Sequence, residues 1–268
     1  MPGMMDKKEP LIRMVNICKS FGTVQALKGV GLVLYHNEVA GLVGDNGAGK
    51  STLMKILTGA YLPTSGEIYI EGEEVHFTHP HQSRERGIEM VYQDMALAGN
   101  LDIPGNIFLG RELKKSLFGT PIQILDRKIM EDESQKVLDQ LKIKVKSLSA
   151  RVSTLSGGQQ KAVAIGRSIF RKARVIIMDE PTAALSPNAV SKLLDLIMRI
   201  KKAGGVSIIF ISHRLQDIFL VGDRVMVLRE GKMVGDKKIV ETTPEEVANL
   251  MVGTDLIRNQ GQVNLNLE

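Results

Sequence analysis

The run Gly44-Asp45-Asn46-Gly47-Ala48-Gly49-Lys50-Ser51 has the spacing G-x-x-x-x-G-K-S. Glycines let successive backbone N–H groups turn inward onto phosphate oxygens. A helix opening behind them adds partial positive charge. In such a P-loop the lysine, here Lys50, reaches the β- and γ-phosphates, and the hydroxyl of Ser51 is a Mg²⁺ ligand. The candidate phosphate-binding residues are therefore Gly44, Asp45, Asn46, Gly47, Ala48, Gly49, Lys50, Ser51 and the adjoining Thr52. A second constellation, Arg174-Val175-Ile176-Ile177-Met178-Asp179-Glu180, reads as an apolar strand ending in two carboxylates. Ligands of open α/β sheets sit at the carboxyl ends of strands. Asp179 is placed there to hold Mg²⁺, directly or through its water, and Glu180 to polarise an attacking water as general base. A third, Leu155-Ser156-Gly157-Gly158-Gln159, precedes a helical run, Gln160 to Phe170. It reads as another anion site at a helix N-terminus. Two phosphate-binding helix ends, only one of them a P-loop, predict a composite site shared between two copies.

These residues need elements to position them. Short strands are expected over Leu11–Cys18, Val24–Leu27 and Gly31–Tyr35, with a compact apolar run from Glu38 to Val43 leading into the P-loop and a helix from Gly49 to Leu57. Ile68-Tyr69-Ile70 followed by Glu71-Gly72 reads as a hairpin. Between Asp94 and Arg151 the chain is richer in Lys, Leu and Glu, with helical spacing at Ile129, Val137, Leu138 and Leu141, and is read as a helical insertion. Strands return at Val175–Met178, Ser207–Ile211 and Arg224–Leu228. Ser186-Pro187 opens one helix and Thr243-Pro244-Glu245-Glu246 another. Beyond Gly253 the tail is polar and expected to be loosely held. Strand–helix alternation argues for a parallel sheet covered on both faces.

Taken in order, the P-loop, the Leu155–Gln159 string and the Asp179-Glu180 strand resemble the ATPase subunit of an ABC transporter, over nearly the whole chain. The resemblance implies an α/β fold: a P-loop NTPase, RecA-like core with an N-terminal antiparallel β subdomain and an inserted α-helical subdomain. The expected division is core and β subdomain over 10–93 and 166–240, helical subdomain over about 94–165, and C-terminal helix and tail over 241–268. It implies ATP and Mg²⁺ as ligands. Gln93 resembles the family glutamine that touches Mg²⁺ and water, and His213 the histidine that contacts the γ-phosphate. Phe21 sits where the family stacks an aromatic ring on adenine. Ser156, Gly157, Gly158 and Gln159 match the signature that closes on a second copy's ATP. Ala184-Leu185-Ser186 is similar to the D-loop, with Ser186 in place of the common aspartate and well suited to cap a helix.

The stretches Gly87-Ile88 with Val91–Asp94, Asn106–Glu112 and Phe210–Leu215 resemble the branch that imports monosaccharides. The expected partners are membrane permease subunits, a second ATPase copy in a homodimer and, indirectly, an extracytoplasmic solute-binding protein. The expected place is the cytoplasmic face of the inner membrane, as a peripheral protein. Ile107, Phe108 and Leu109 are expected where the family docks the permease's coupling helix, so that charge there uncouples transport and spares basal ATPase. Importers of a nucleoside, signalling molecule or amino acid are the alternative, followed by a non-transport ABC ATPase. A small-molecule P-loop kinase fits poorly, because the Ser-Gly-Gly signature has no place in it.

Composition agrees with a globular protein. Of 268 residues, 43% are hydrophobic and 24% charged, which excludes collagen-like and disordered classes. A single cysteine, Cys18, allows no internal disulfide and no Cys-rich zinc module. The net charge of +5 permits phosphate ligands or an anionic membrane surface but is no nucleic-acid signature, and no nucleic-acid partner is expected. The polar N-terminus argues against a secretory signal, and no apolar run is long enough to span a bilayer. His76, His79 and His81 around Pro80 have spacing that could bind zinc, against the simpler reading of an exposed loop over Phe77–Pro80. Basic residues between Arg111 and Arg151 read mainly as a solvated face, with anionic headgroup contact as the alternative.

Overall fold

The computed structural model describes residues 9–92, 94–117 and 120–253. The chain runs through β1 (Ile12–Phe21), β2 (Val24–Leu34), β3 (Val39–Val43), α1 (Lys50–Leu57), β4 (Ser65–Ile70), β5 (Glu73–Val75), α2 (Pro80–Glu85) and β6 (Ile88–Val91). It continues through α3 (Ile103–Ile107), β7 (Lys114–Ser116), β8 (Gln123–Leu125), α4 (Arg127–Gln140) and α5 (Gly157–Phe170). The last part holds β9 (Val175–Asp179), α6 (Pro187–Ala203), β10 (Ser207–Ile211), α7 (Leu215–Val221), β11 (Arg224–Arg229), β12 (Lys232–Lys238) and α8 (Pro244–Val252). An antiparallel sheet has the order β2-β1-β4-β5; a second sheet has the order β12-β11-β3-β10-β9-β6. In the latter, β11, β3, β10, β9 and β6 are parallel and β12 closes one edge antiparallel.

The parallel strands lie between two apolar layers, and their side chains alternate between them with the period of two that a strand imposes. Ile209 and Ile211 of β10 join Leu42, Met54 and Leu57 on the side of α1 and the antiparallel sheet. Ile208 and Phe210 join Leu196, Ile197, Ile218 and Val247 on the side of α6, α7 and α8. This is the α/β P-loop architecture expected from the sequence. Arg224 ties its layers together. Its guanidinium is buried, donates to both carboxylate oxygens of Glu38, to Asp236 and to the Val33 carbonyl, and so joins β2, the entry to β3 and β12. Burial works against that charge, but the two carboxylates outweigh it and hold the pKa above its ordinary value.

Several expectations are corrected. The two expected strands Val24–Leu27 and Gly31–Tyr35 are one strand, β2, which ends at Leu34, with a bulge at Lys28-Gly29 that carries pairing from Leu27 to Val30. The stretch read as helical contains the antiparallel pair β7–β8. Ile129 on α4 is 48% exposed, whereas Val137, Leu138 and Leu141 are buried. Phe77 is buried in the core, not in an exposed loop. Ile107 and Phe108 are wholly buried, in a cluster with Met130, Leu138 and Val163, and the Phe108 and Phe170 ring centroids are 4.3 Å apart; only Leu109 of that trio reaches solvent. The three histidines turn to separate neighbours: His76 to Glu74, His81 to Glu85, and His79, at the N-terminus of α2, to the Thr78 hydroxyl. The expected loose tail beyond Gly253 lies outside the described residues.

Candidate nucleotide site

Parallel register brings the chemistry to one rim. Leu42 of β3 is level with Ile211 of β10, and Ile211 with Asp179 of β9, so Gly44, Glu180 and Ser212 leave the sheet side by side. β3 is buried throughout, and the chain turns sharply after it. Gly44 has φ 150°, and a Cβ there would strike the Leu228 carbonyl of β11; Gly49 has φ 108°, and a Cβ there would lie 2.9 Å from the Ala26 carbonyl. Only glycine fits either place, so the two fixed positions of the motif are steric requirements of the loop. Gly49 is the N-cap of α1 and supplies no side-chain cap, which leaves the first N–H groups of the helix, at Lys50, Ser51 and Thr52, uncapped by side chain at the loop.

Lys50 is buried, and its Nζ donates to the carbonyls of Gly44 at 2.6 Å and Asp45 at 3.0 Å. Burial pushes its pKa down; the charges of Glu180, Asp179 and Asp45 oppose that. Burial pushes the Asp179 carboxyl up, against Lys50, Lys55 and a hydrogen bond from Ser51. Glu180 has a left-handed backbone, φ 49°, an unusual state for a side chain of this size. It is held there by its N–H on the Ile211 carbonyl at 3.0 Å. Its Oε2 is buried and accepts no hydrogen bond among the described residues, while His213 Nδ1 stands 2.8 Å away, within ion-pair distance. His213 itself is largely exposed. The arrangement puts a cation, two carboxylates and an imidazole around one opening above the sheet. Ser51 and Asp179 are hard oxygen donors already in contact, the ligand type that suits Mg²⁺. Gln93 lies outside the described residues.

Phe21 is 45% exposed and meets Tyr61 edge to face, with ring centroids 5.5 Å apart. Lys19 Nζ lies 5.0 Å from the Phe21 ring centre. Ser156 caps α5, accepting from the Gln159 N–H, and Gln159 donates to the Lys144 carbonyl. Ser156, Gly158 and Gln159 line a groove of about 510 Å³ with Ser186, Asn188 and Ala189. No P-loop residue lines it, so the P-loop and the Ser156 helix end do not share that groove within the chain. Ser186 occupies the N-cap of α6, but its side chain makes no cap hydrogen bond, contrary to expectation; it lines the groove instead.

Sequence reasoning missed Lys161. This lysine of α5 is 4% exposed, and its Nζ donates to the carbonyls of Glu180 at 3.2 Å and Ala183 at 3.3 Å. It joins the helix behind Ser156 directly to the backbone of Glu180. The available signal was its place on an otherwise apolar stretch, where a cation must find acceptors.

Comparison with known proteins agrees with this geometry. The family model described as ABC transporter matches residues 27–183. The chain is 43% identical to the xylose/arabinose import ATP-binding protein XylG of Sulfolobus acidocaldarius, over 95% of this chain and 97% of that one. It is 45% identical to the ribose import ATP-binding protein RbsA of Yersinia pestis, over 93% of this chain but 48% of that one, so it spans about half the length of that relative. The crystal structure of a nucleotide-free ATP-binding cassette from an ABC transporter superposes with TM-score 0.77 at 25% identity, covering 92% of this chain and 97% of that one. With the P-loop, the carboxylate strand and the signature helix in these places, the chain belongs to the ABC transporter family and carries its ATPase cassette.

Proposed function

We propose that this ATPase powers import of a monosaccharide through a separate membrane permease. The observation that carries the reading is the convergence of Lys50, Asp179, Glu180 and His213 at the ends of β3, β9 and β10, with the signature end of α5 turned to a different groove. The sugar class rests on the relatives, which are named as xylose/arabinose and ribose import proteins.

Residues Gly44–Thr52 cradle the phosphates of ATP, and Lys50 exchanges its two loop carbonyls for phosphate oxygens. Phe21 offers its ring to the adenine. Ser51 and Asp179, with Gln93, would hold Mg²⁺, which when bound neutralises the phosphate oxygens. Glu180 takes a proton from water as that oxygen bonds to the γ-phosphorus. The bond to the β–γ bridging oxygen breaks, and ADP leaves with the electron pair. His213 orients Glu180 and the γ-phosphate. Ser156, Gly157, Gly158 and Gln159 of a second copy complete the site. Residues 94–165 form the subdomain that moves on closure, and a groove of about 490 Å³ lined by Arg84, Tyr92, Leu109, Glu112 and Arg171 receives the permease.

The test is light scattering on Glu180→Gln with and without ATP. An ATP-dependent dimer, abolished by a further change at Lys50 or Ser156, supports the two-site clamp. A monomer at saturating ATP overturns the homodimer. Reconstitution with a permease that co-purifies with this chain then tests cargo: ATPase activity stimulated by a pentose with its binding protein supports sugar import, and stimulation by a nucleoside or amino acid alone refutes it.

A further inference from the structure

The loop that carries His213 is short, Ser212 to Arg214, and is strung between two fixed elements. β10 before it is buried throughout and paired with a strand on each side. α7 behind it is anchored by Ile218 and Val221, both buried in the layer between sheet and helices. The Val221 carbonyl also accepts from Lys201 of α6 at 3.2 Å. Ser212 is wholly buried, and its Oγ accepts the Arg214 N–H at 3.0 Å. His213 lies between these held neighbours and is itself largely exposed. The place of its ring is therefore set by how the loop closes onto α7.

That closure is incomplete. Arg214 occupies the N-cap of α7, and its side chain caps nothing. Its Nε stands 3.5 Å from Oδ2 of Asp217, at ion-pair distance. Asp217 is 2% exposed, and that oxygen accepts no hydrogen bond among the described residues. A buried carboxylate oxygen without a donor is costly and calls for a reason. The other side of the loop repeats the pattern. Oε2 of Glu180 is likewise buried and unbonded, with His213 Nδ1 2.8 Å away. Two consecutive side chains, His213 and Arg214, thus each face a buried carboxylate oxygen that lacks its hydrogen bond. A small shift of one loop serves both contacts, so the two are coupled through its backbone.

We propose that Asp217 is a positioning residue for hydrolysis: it draws the Arg214 guanidinium onto α7 and so fixes the loop in which His213 meets Glu180 and the γ-phosphate. Asp217 touches no substrate and acts only through the loop. The inference rests on the part in hydrolysis given to His213 above.

The test is steady-state ATPase of the full chain. Asp217→Asn keeps the shape of the side chain and removes its charge; Arg214→Gln breaks the same pair from the side that is 44% exposed. Each should lower kcat about tenfold, with KM for ATP changing less than about twofold. Together they should lose no more than the worse single variant, because one contact is removed once. His213→Ala should lower kcat by more than tenfold, and adding Asp217→Asn to it should change kcat less than about twofold. Thermal midpoints report folding, and Arg214→Gln carries the test if Asp217→Asn does not fold. Wild-type kcat in the folded single variants, with His213→Ala impaired, overturns this inference alone. A further drop of about tenfold in the His213→Ala background makes the pair a structural support and overturns it too. Wild-type kcat in His213→Ala overturns the part given to His213, and this inference with it.

Discussion

Glu180 joins two demands at one residue: its carboxylate must face the opening, and its backbone must turn left-handed to place it there. The second demand costs stability independently of the first. Replacing Glu180 with Gly removes the carboxylate and relieves the turn, whereas Ala removes the carboxylate and keeps the strain. Both variants should lose hydrolysis by two orders of magnitude or more, as about 10²–10⁴-fold is typical for a general base. Glu180→Gly should nevertheless be the more stable by about 1 kcal/mol, read from denaturant midpoints. Equal midpoints would mean that the turn is not strained. Lys161 works on the same backbone from behind. Lys161→Met should lower kcat about tenfold or more through misplacement of Glu180, with KM for ATP changing less than about twofold. Lys161→Arg should restore part of it. A change in KM alone would make Lys161 a binding residue instead.

At the scale of elements, Phe108 and Leu109 are neighbours with opposite fates. Phe108 packs on Phe170 inside the helical cluster, and Leu109 lines the groove. Phe108→Glu should therefore cost at least the roughly 3–5 kcal/mol of a buried Phe truncation and show as a lost or lowered thermal transition. Leu109→Glu should leave stability within about 0.5 kcal/mol and basal ATPase intact while lowering permease-stimulated activity. The sequence could not separate the two, because they follow α3, a helix of five residues that is too short to show which face is apolar. β3 and β9 were legible because a parallel strand buried on both faces reads as an unbroken apolar run. The P-loop was legible because its glycines answer to sterics within a few residues. The β7–β8 pair was hidden by its lysines, and Lys161 by the ordinary expectation that lysine is solvated. Both depend on what the remote chain places, or fails to place, beside them.

At the scale of the molecule, the P-loop and the Ser156 helix end face different openings, and on the function proposed above the chain holds two half-sites. Turnover per copy should then rise with protein concentration in the dilute range and level off once copies pair, in a steady-state assay at saturating ATP. A specific activity independent of concentration from the most dilute sample upward would mean that one copy suffices. Lys161 gives this pairing a direction. In the proposed pair, the helix end set to touch one nucleotide is joined through the Lys161 ammonium to the backbone of Glu180, the proposed base for the other. On that reading each nucleotide would report its arrival to the opposite half of the clamp, and the two turnovers would become rungs of one cycle rather than parallel events. Cutting that link with Lys161→Met should leave two ATP molecules bound per pair while the Hill coefficient for hydrolysis falls toward one.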